Sequence, residues 1–351
     1  MTITNPDPEP GVSWERLGTF EIFAGTRSGV VRIDGGVEPL GLAGHRVSAV
    51  HALRDRAGDM VLLAGTYGEG LHRSADVGRS WTPVTAGMTA PAARTIGVDP
   101  LRPEALLCGT EPGRLFRSTD EGLTWVELEG IRALPEHEEW FLPYSPRAGA
   151  VRNFHAPVGG GSELLAALEV GGLLRSPDAG ATWSISPIGP NDDIHQITGH
   201  PTEAGMLWSS LGWAALPSRE RGAATPPLGG VGRSRDGGRT WDVLHTHYTR
   251  STIVPPARPD LVLSGPAPQV GHQGRIEVSA DGGDTWLPAA DGIETPMSDM
   301  VELFVPAPDG TVFAVCSEGR LLRSEPGPWR WRSALPDDRP PAVDAVTFLE
   351  R

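Results

Sequence analysis

From residue 93 the chain alternates short apolar runs with polar breaks: "ARTIGVDP" (93–100), "EALLCGT" (104–110), "RLFRS" (114–118) and "TWVELEG" (124–130). Each run is too short for a helix and is nearly continuous rather than alternating in polarity. That is the pattern of β-strands covered on both faces. The break before the fourth run is a fixed string, "RSTDEGLTW" (117–125), and it returns at 73–81, 175–183, 233–241 and 278–286. A damaged copy, "RSEPGPWRW", stands at 323–331. Its Asp falls at 76, 120, 178, 236 and 281, with Glu325 in the sixth copy, so the spacings are 44, 58, 58, 45 and 44. A four-stranded unit recurring at this period predicts the blades of a propeller.

The units start near Arg46, Arg94, Val151, His195, Arg250 and Met300. "TFEIFAGTRSGVVRID" (19–34) supplies only the second and third strands of another, and "AVDAVTFLE" (342–350) reads as its missing first strand. The chain is therefore an all-β, seven-bladed propeller of four-stranded antiparallel blades, closed by pairing its last strand into the first blade. Residues 1–17 form an N-terminal extension and 18–351 a single domain. Within the repeated string, Ser and Asp side chains satisfy turn N–H groups, Gly takes a positive φ, and Trp packs beneath. These aspartates shape the turn and carry no chemistry.

The string S-x-D-x-G-x-[ST]-W resembles the Asp-box, or bacterial neuraminidase repeat. With five intact copies the chain is similar to the sialidase-superfamily propellers, including bacterial sialidase-like and glycosyl-hydrolase-like members. The resemblance implies that the box is structural. It also invites a search for the relatives' catalytic groups. Sialidases use an arginine triad, a Tyr nucleophile with a Glu partner, and an Asp acid. Here "VVRIDGG" places Asp34 where their [FY]-R-I-P string has Pro, and Tyr67, Tyr144 and Tyr248 match no nucleophile. Xyloglucan-cleaving relatives carry Asp in a turn after strand two. The corresponding turns "GTRSGV", "GTYGEG", "GTEPGR" and "LEVGGL" have none, and Glu111 and Glu169 hold the comparable place.

A net charge of −14 excludes bulk binding to nucleic acid or anionic membrane. All 30 basic residues are Arg, which excludes lysine chemistry and fits a GC-rich bacterial genome. There is no 18-residue apolar stretch and no visible signal sequence, so a cytoplasmic location is expected. Cys108 and Cys316 occupy similar places in distant repeats and read as small buried hydrophobes.

Function is expected on the face opposite the boxes. The two–three turns and blade connections share that face, and both long insertions, 133–150 and 212–230, fall there. Aligning first strands on their terminal Pro sets Arg46, Arg94, Val151, His195, Arg250 and Met300 at one level, with Arg152 one step inward. Arg46, Arg94, Arg152, His195 and Arg250 then ring the channel mouth and point to an anionic ligand, unless each Arg pairs with an acid such as Glu69, Glu111, Glu169 or Glu302. Trp140, Phe141 and Tyr144 would wall the site. His195, His245, His247 and His272 could hold a divalent metal; no cofactor is assigned. The leading reading is a binding propeller for an anionic small molecule, glycan or protein. The alternatives are a glycoside hydrolase or lyase using Glu111 and Glu169, or a metal-dependent enzyme.

Overall fold

Seven four-stranded antiparallel sheets follow one another around a central channel in the order of the repeats. This computed structural model describes residues 20–90, 92–140, 149–189, 191–213, 229–336 and 340–351. The extension 1–17, part of the 133–150 insertion (141–148, with Phe141 and Tyr144) and most of the 212–230 insertion (214–228) lie outside the described residues.

The continuous apolar runs are the second strands. Met60–Thr66, Leu164–Glu169 and Val262–Ala267 are buried almost end to end. A middle strand meets a neighbouring blade on each face, so no polar alternation is needed. The interior is accordingly not one core but a series of wedges between blades. One wedge joins Leu107 and Leu115 of the third blade to Leu164, Leu168 and Leu174 of the fourth. Cys108 and Cys316 sit in two such strands, buried, and burial pushes both thiols well above the usual range. Outer strands are only two or three residues long, as at Thr82–Pro83 and Val126–Glu127, which leaves little exposed edge.

The ring closes as expected. Val343–Glu350 pairs antiparallel with Phe20–Thr26, from Phe20 opposite Glu350 to Thr26 opposite Val343. Phe348 fixes this strand by packing against Phe20 and Phe313, at 5.3 and 4.9 Å between ring centroids.

The repeated turn has one geometry throughout. At the second copy, the Ser118 hydroxyl donates to Asp120 Oδ1 (2.7 Å), and Asp120 accepts the Thr124 N–H (2.9 Å) and hydroxyl (2.6 Å). The Gly122 N–H closes the loop on Ser118 Oγ at 2.9 Å. The same bonds recur around Asp76, Asp178, Asp236 and Asp281.

Each inner strand carries one extra residue that its partner strand skips. The bulges fall at Ser48, Arg94, Arg152, His195, Arg250–Ser251, Glu302 and Asp344. A bulge breaks the ladder locally and re-aims a side chain. Residues at these bulges also stitch blades together. Ser48 Oγ donates to Ala93 O (2.7 Å), Ile197 N to Asn153 Oδ1 (2.9 Å), Thr252 N to Gln196 Oε1 (3.0 Å), and Phe304 N to Ser251 Oγ (2.8 Å). Opposite the bulges, the recurring Gly-Thr pair lets the next blade approach. A Cβ on Gly65 would lie 2.5 Å from Ala93 Cβ, while Thr66 ties its hairpin by donating to Gly70 O (2.9 Å).

Candidate functional site

The seven bulges put one side chain per blade into the channel mouth. Arg46, Ser48, Arg94, Arg152, His195, Arg250, Glu302 and Asp344 all line a cavity of about 1130 Å³. The alignment on terminal prolines reaches the bulge itself at Arg94, His195 and Arg250. In the fourth blade the ring residue is Arg152 rather than Val151, and in the seventh it is Glu302 rather than Met300. Val151 and Met300 are buried. In the second blade Ser48 takes the bulge, and Arg46 reaches the mouth from the strand's entry. Asp344 of the closing strand completes the set. The ring is therefore not uniformly basic. Its acids stand on blades seven and one, and its arginines on three, four and six.

Each arginine meets an acid. Arg46 Nε lies 2.6 Å from Asp344, Arg94 lies 3.5 Å from Glu111, and Arg152 lies 3.3 Å from Glu169. Arg250 is in close contact with Glu302, which Arg152 also approaches to 4.0 Å from across the channel. Burial alone would raise the pKa of Glu169, but Arg152, then His195 and Arg250, hold it down to about 2. Glu302 is lowered in the same way, against burial, chiefly by Arg250. Burial opposes the charge on Arg250 too, yet Glu302 and Tyr248 raise its pKa well above the usual value. Of the four acids named in advance, Glu69 departs from expectation: it pairs with His45 at 2.9 Å.

The pairs differ in quality. Charge-assisted N–H···O bonds are typically about 2.7–2.9 Å long, and the buried pair Arg117–Asp99, on the opposite face, meets this at 2.7 Å. The contacts of Arg94 and Arg152 are longer. Arg46 uses only Nε, and among the described residues its terminal nitrogens have no hydrogen-bond partner. Its side chain is 55% exposed. Tyr67, 40% exposed, stands between these groups. Arg46 and Arg94 lie 5.9 and 5.2 Å from its ring centroid, and its hydroxyl donates to Glu111 at 3.4 Å. Arg46, Arg94 and Arg152 of blades two to four thus line one side of the cavity, whereas Arg250 and Glu302 close the opposite side.

The histidines do not assemble as one cluster. His195 Nε2 lies 3.0 Å from the Tyr248 hydroxyl and 3.3 Å from Asp193. With Glu169 these residues form the only group of three possible metal donors among the described residues, their atoms within 4.8 Å. Gly212 makes room for it, since a Cβ there would fall 1.9 Å from Asp193 Oδ2. His245 instead packs near Trp286 and His247, and burial, then His247, lowers its pKa to about 4. His272 is exposed and contacts Ser298 O through Nδ1 at 3.2 Å. The Glu169 charge is already met by Arg152, which leaves a divalent ion little to neutralise.

Trp140 does not wall the cavity. It is 2% exposed and packs in the wedge between blades three and four. It anchors the middle of the 133–150 insertion. Sequence reasoning missed Asp193, Asp344, Arg27 and Tyr67. Asp193 was signalled by its i,i+2 spacing from His195. Arg27 mirrors the other blades with charges exchanged, its guanidinium 3.4 Å from Asp344.

No protein-family model and no curated protein matches the chain. Solved structures do. An ancestral GH74 enzyme aligns with 94% of this chain at a TM-score of 0.59 and 12% identity, and the chain spans only 40% of that enzyme's length. YCF48 from Cyanidioschyzon merolae aligns over 90% of this chain and 99% of its own, at a TM-score of 0.59 and 17% identity. A structure of YCF48 bound to D1 peptide covers 93% and 100%, at 0.54 and 17%. At these identities the likeness establishes the propeller fold.

Proposed function

We propose that the protein is a binding propeller whose box-free channel mouth takes an anionic group on Arg46, Arg94 and Arg152. One observation carries this reading: these three guanidiniums line the cavity, each with an acid within 3.5 Å, and Arg46 bonds its acid through Nε alone. Four arginines and three acids line that cavity together with His195. An anion arriving there gains hydrogen bonds that Glu111, Glu169 and Asp344 supply only in part. The ligand classes that fit are a small carboxylate or phosphate, an acidic glycan, or an acidic segment of a protein. The solved neighbours include both GH74 enzymes and a propeller bound to a peptide. Glycoside hydrolysis asks for one carboxyl that keeps its proton near neutral pH. Glu169, held ionised by Arg152, is unsuited to that part.

The test is a thermal-shift screen of carboxylates, phosphates, sialic acids and uronic acids, followed by calorimetry. Arg46→Ala and Arg94→Ala are each expected to weaken an anionic hit, and a neutral analogue to bind at least ~10-fold more weakly. If no anion shifts the melting curve, the mouth is a structural ion-pair ring.

A further inference from the structure

The cavity does not end at the ring. Along the same inner strands it continues past Leu303, Val305 and Phe348, partly exposed on blades seven and one, and past Ile96 on blade three. Pro256, Pro306 and Pro308 line its box-face end, where a proline offers no backbone N–H. The amide oxygens of Asn153 and Gln196, which also line it, are already taken by the backbone of neighbouring blades. Beyond the ring no lining side chain among the described residues is ionised at neutral pH, because burial holds the His51 imidazole neutral. The channel is thus charged at one end, and along its shaft an apolar side formed by Leu303, Val305 and Phe348 on blades seven and one faces the uncharged polar side chains of Thr95, Asn153 and Gln196.

We propose that the ligand is an amphiphilic anion: a carboxylate held by the mouth arginines, with a single unbranched alkyl tail running down the channel past Leu303 and Val305. This rests on the anion-binding reading and names its ligand class. A cavity of about 1130 Å³ lies just above the ~300–1,000 Å³ of most small-molecule sites. Tail burial against Leu303, Val305 and Phe348 adds affinity with each methylene, and the head fixes which end enters.

The experiment is calorimetry with hexanoate, octanoate, decanoate and dodecanoate below their aggregation limits, and with the methyl ester of each. Affinity is expected to rise about fourfold per methylene, and every ester to bind at least ~10-fold more weakly than its acid. Val305→Thr, which keeps the side chain's shape, and Leu303→Asn should flatten the rise with chain length, so that dodecanoate loses more affinity than hexanoate does. Equal affinity at all chain lengths overturns the tail site and leaves the anion site standing. A rise that persists unchanged in both variants is adsorption elsewhere and also overturns it. No binding by any carboxylate, short or long, overturns this ligand, while the anion site stands or falls by the phosphates and uronic acids of the screen.

Discussion

Asp120 shows how one side chain sets a turn. Its carboxylate accepts the N–H and hydroxyl of Thr124 and the hydroxyl of Ser118. Burial pulls its pKa up, but those bonds outweigh it and the group is lowered overall. Asp120→Ala is expected to cost about 1–3 kcal/mol through turn groups left without partners, measured by urea unfolding. Ligand binding by the folded variant should match wild type; binding lost at unchanged stability would make the box chemical. At the mouth, the Glu169–Asp193–His195 group tests the metal reading by residue. Excess Zn²⁺ is expected to leave the melting temperature unchanged, since Arg152 already meets the charge. A saturable rise that His195→Ala abolishes would place a metal there.

At the scale of elements, the closing strand bears the most. Deleting 340–351 reopens the pairing with Phe20–Thr26 and removes Phe348 from between Phe20 and Phe313. The truncated chain is expected to melt at a clearly lower temperature or not to fold as one unit; an unchanged melting temperature would refute closure. Blades and closure were legible because the repeated turn is local: Ser, Asp, Gly and Trp write it within nine residues. The ring was legible only in part. Counting back six residues from the terminal Pro reaches the bulge at Arg94, His195 and Arg250. It misses by one at Arg152 and by two at Glu302. The bulge is set by pairing with the second strand, opposite Gly65 or Gly109 for example, and that register is not written next to the proline. Asp344 was hidden for a related reason, since its blade is assembled from both ends of the chain. Trp140 looked like a loop aromatic because nothing near it in sequence reveals the Leu168 side of the wedge it fills.

For the whole molecule, buried imidazoles govern the response to acid before carboxylates do. Burial lowers His51 and His155 to about 4 in the fold, against about 6.5 in the unfolded chain. The unfolded state therefore binds more protons between these values, and stability present above pH 6.5 is lost as pH falls toward 4. Each contributes of order 3 kcal/mol by this route. Asp76, lowered to about 2 chiefly by the Ser80 hydroxyl, and Glu169, lowered against burial by Arg152, act later. Their share is present above about pH 4 and disappears as pH falls through about 2. Urea midpoints taken between pH 7 and 3 should decline from about 6.5 downward. A midpoint flat down to pH 4.5 would mean that these histidines titrate normally in the fold.

Arg27 and Asp344, which meet across the closing blade, are 317 residues apart in the chain. A ribosome adding about 5–20 residues per second takes roughly 15–60 s to cover that distance. Once the Phe20–Thr26 strand has left the tunnel, it spends the rest of that interval with one edge unpaired. Later blades can dock on one another as they emerge, but the first waits half-built. A circular permutant that puts the 343–350 segment ahead of Phe20 would complete blade one at the outset and remove the wait.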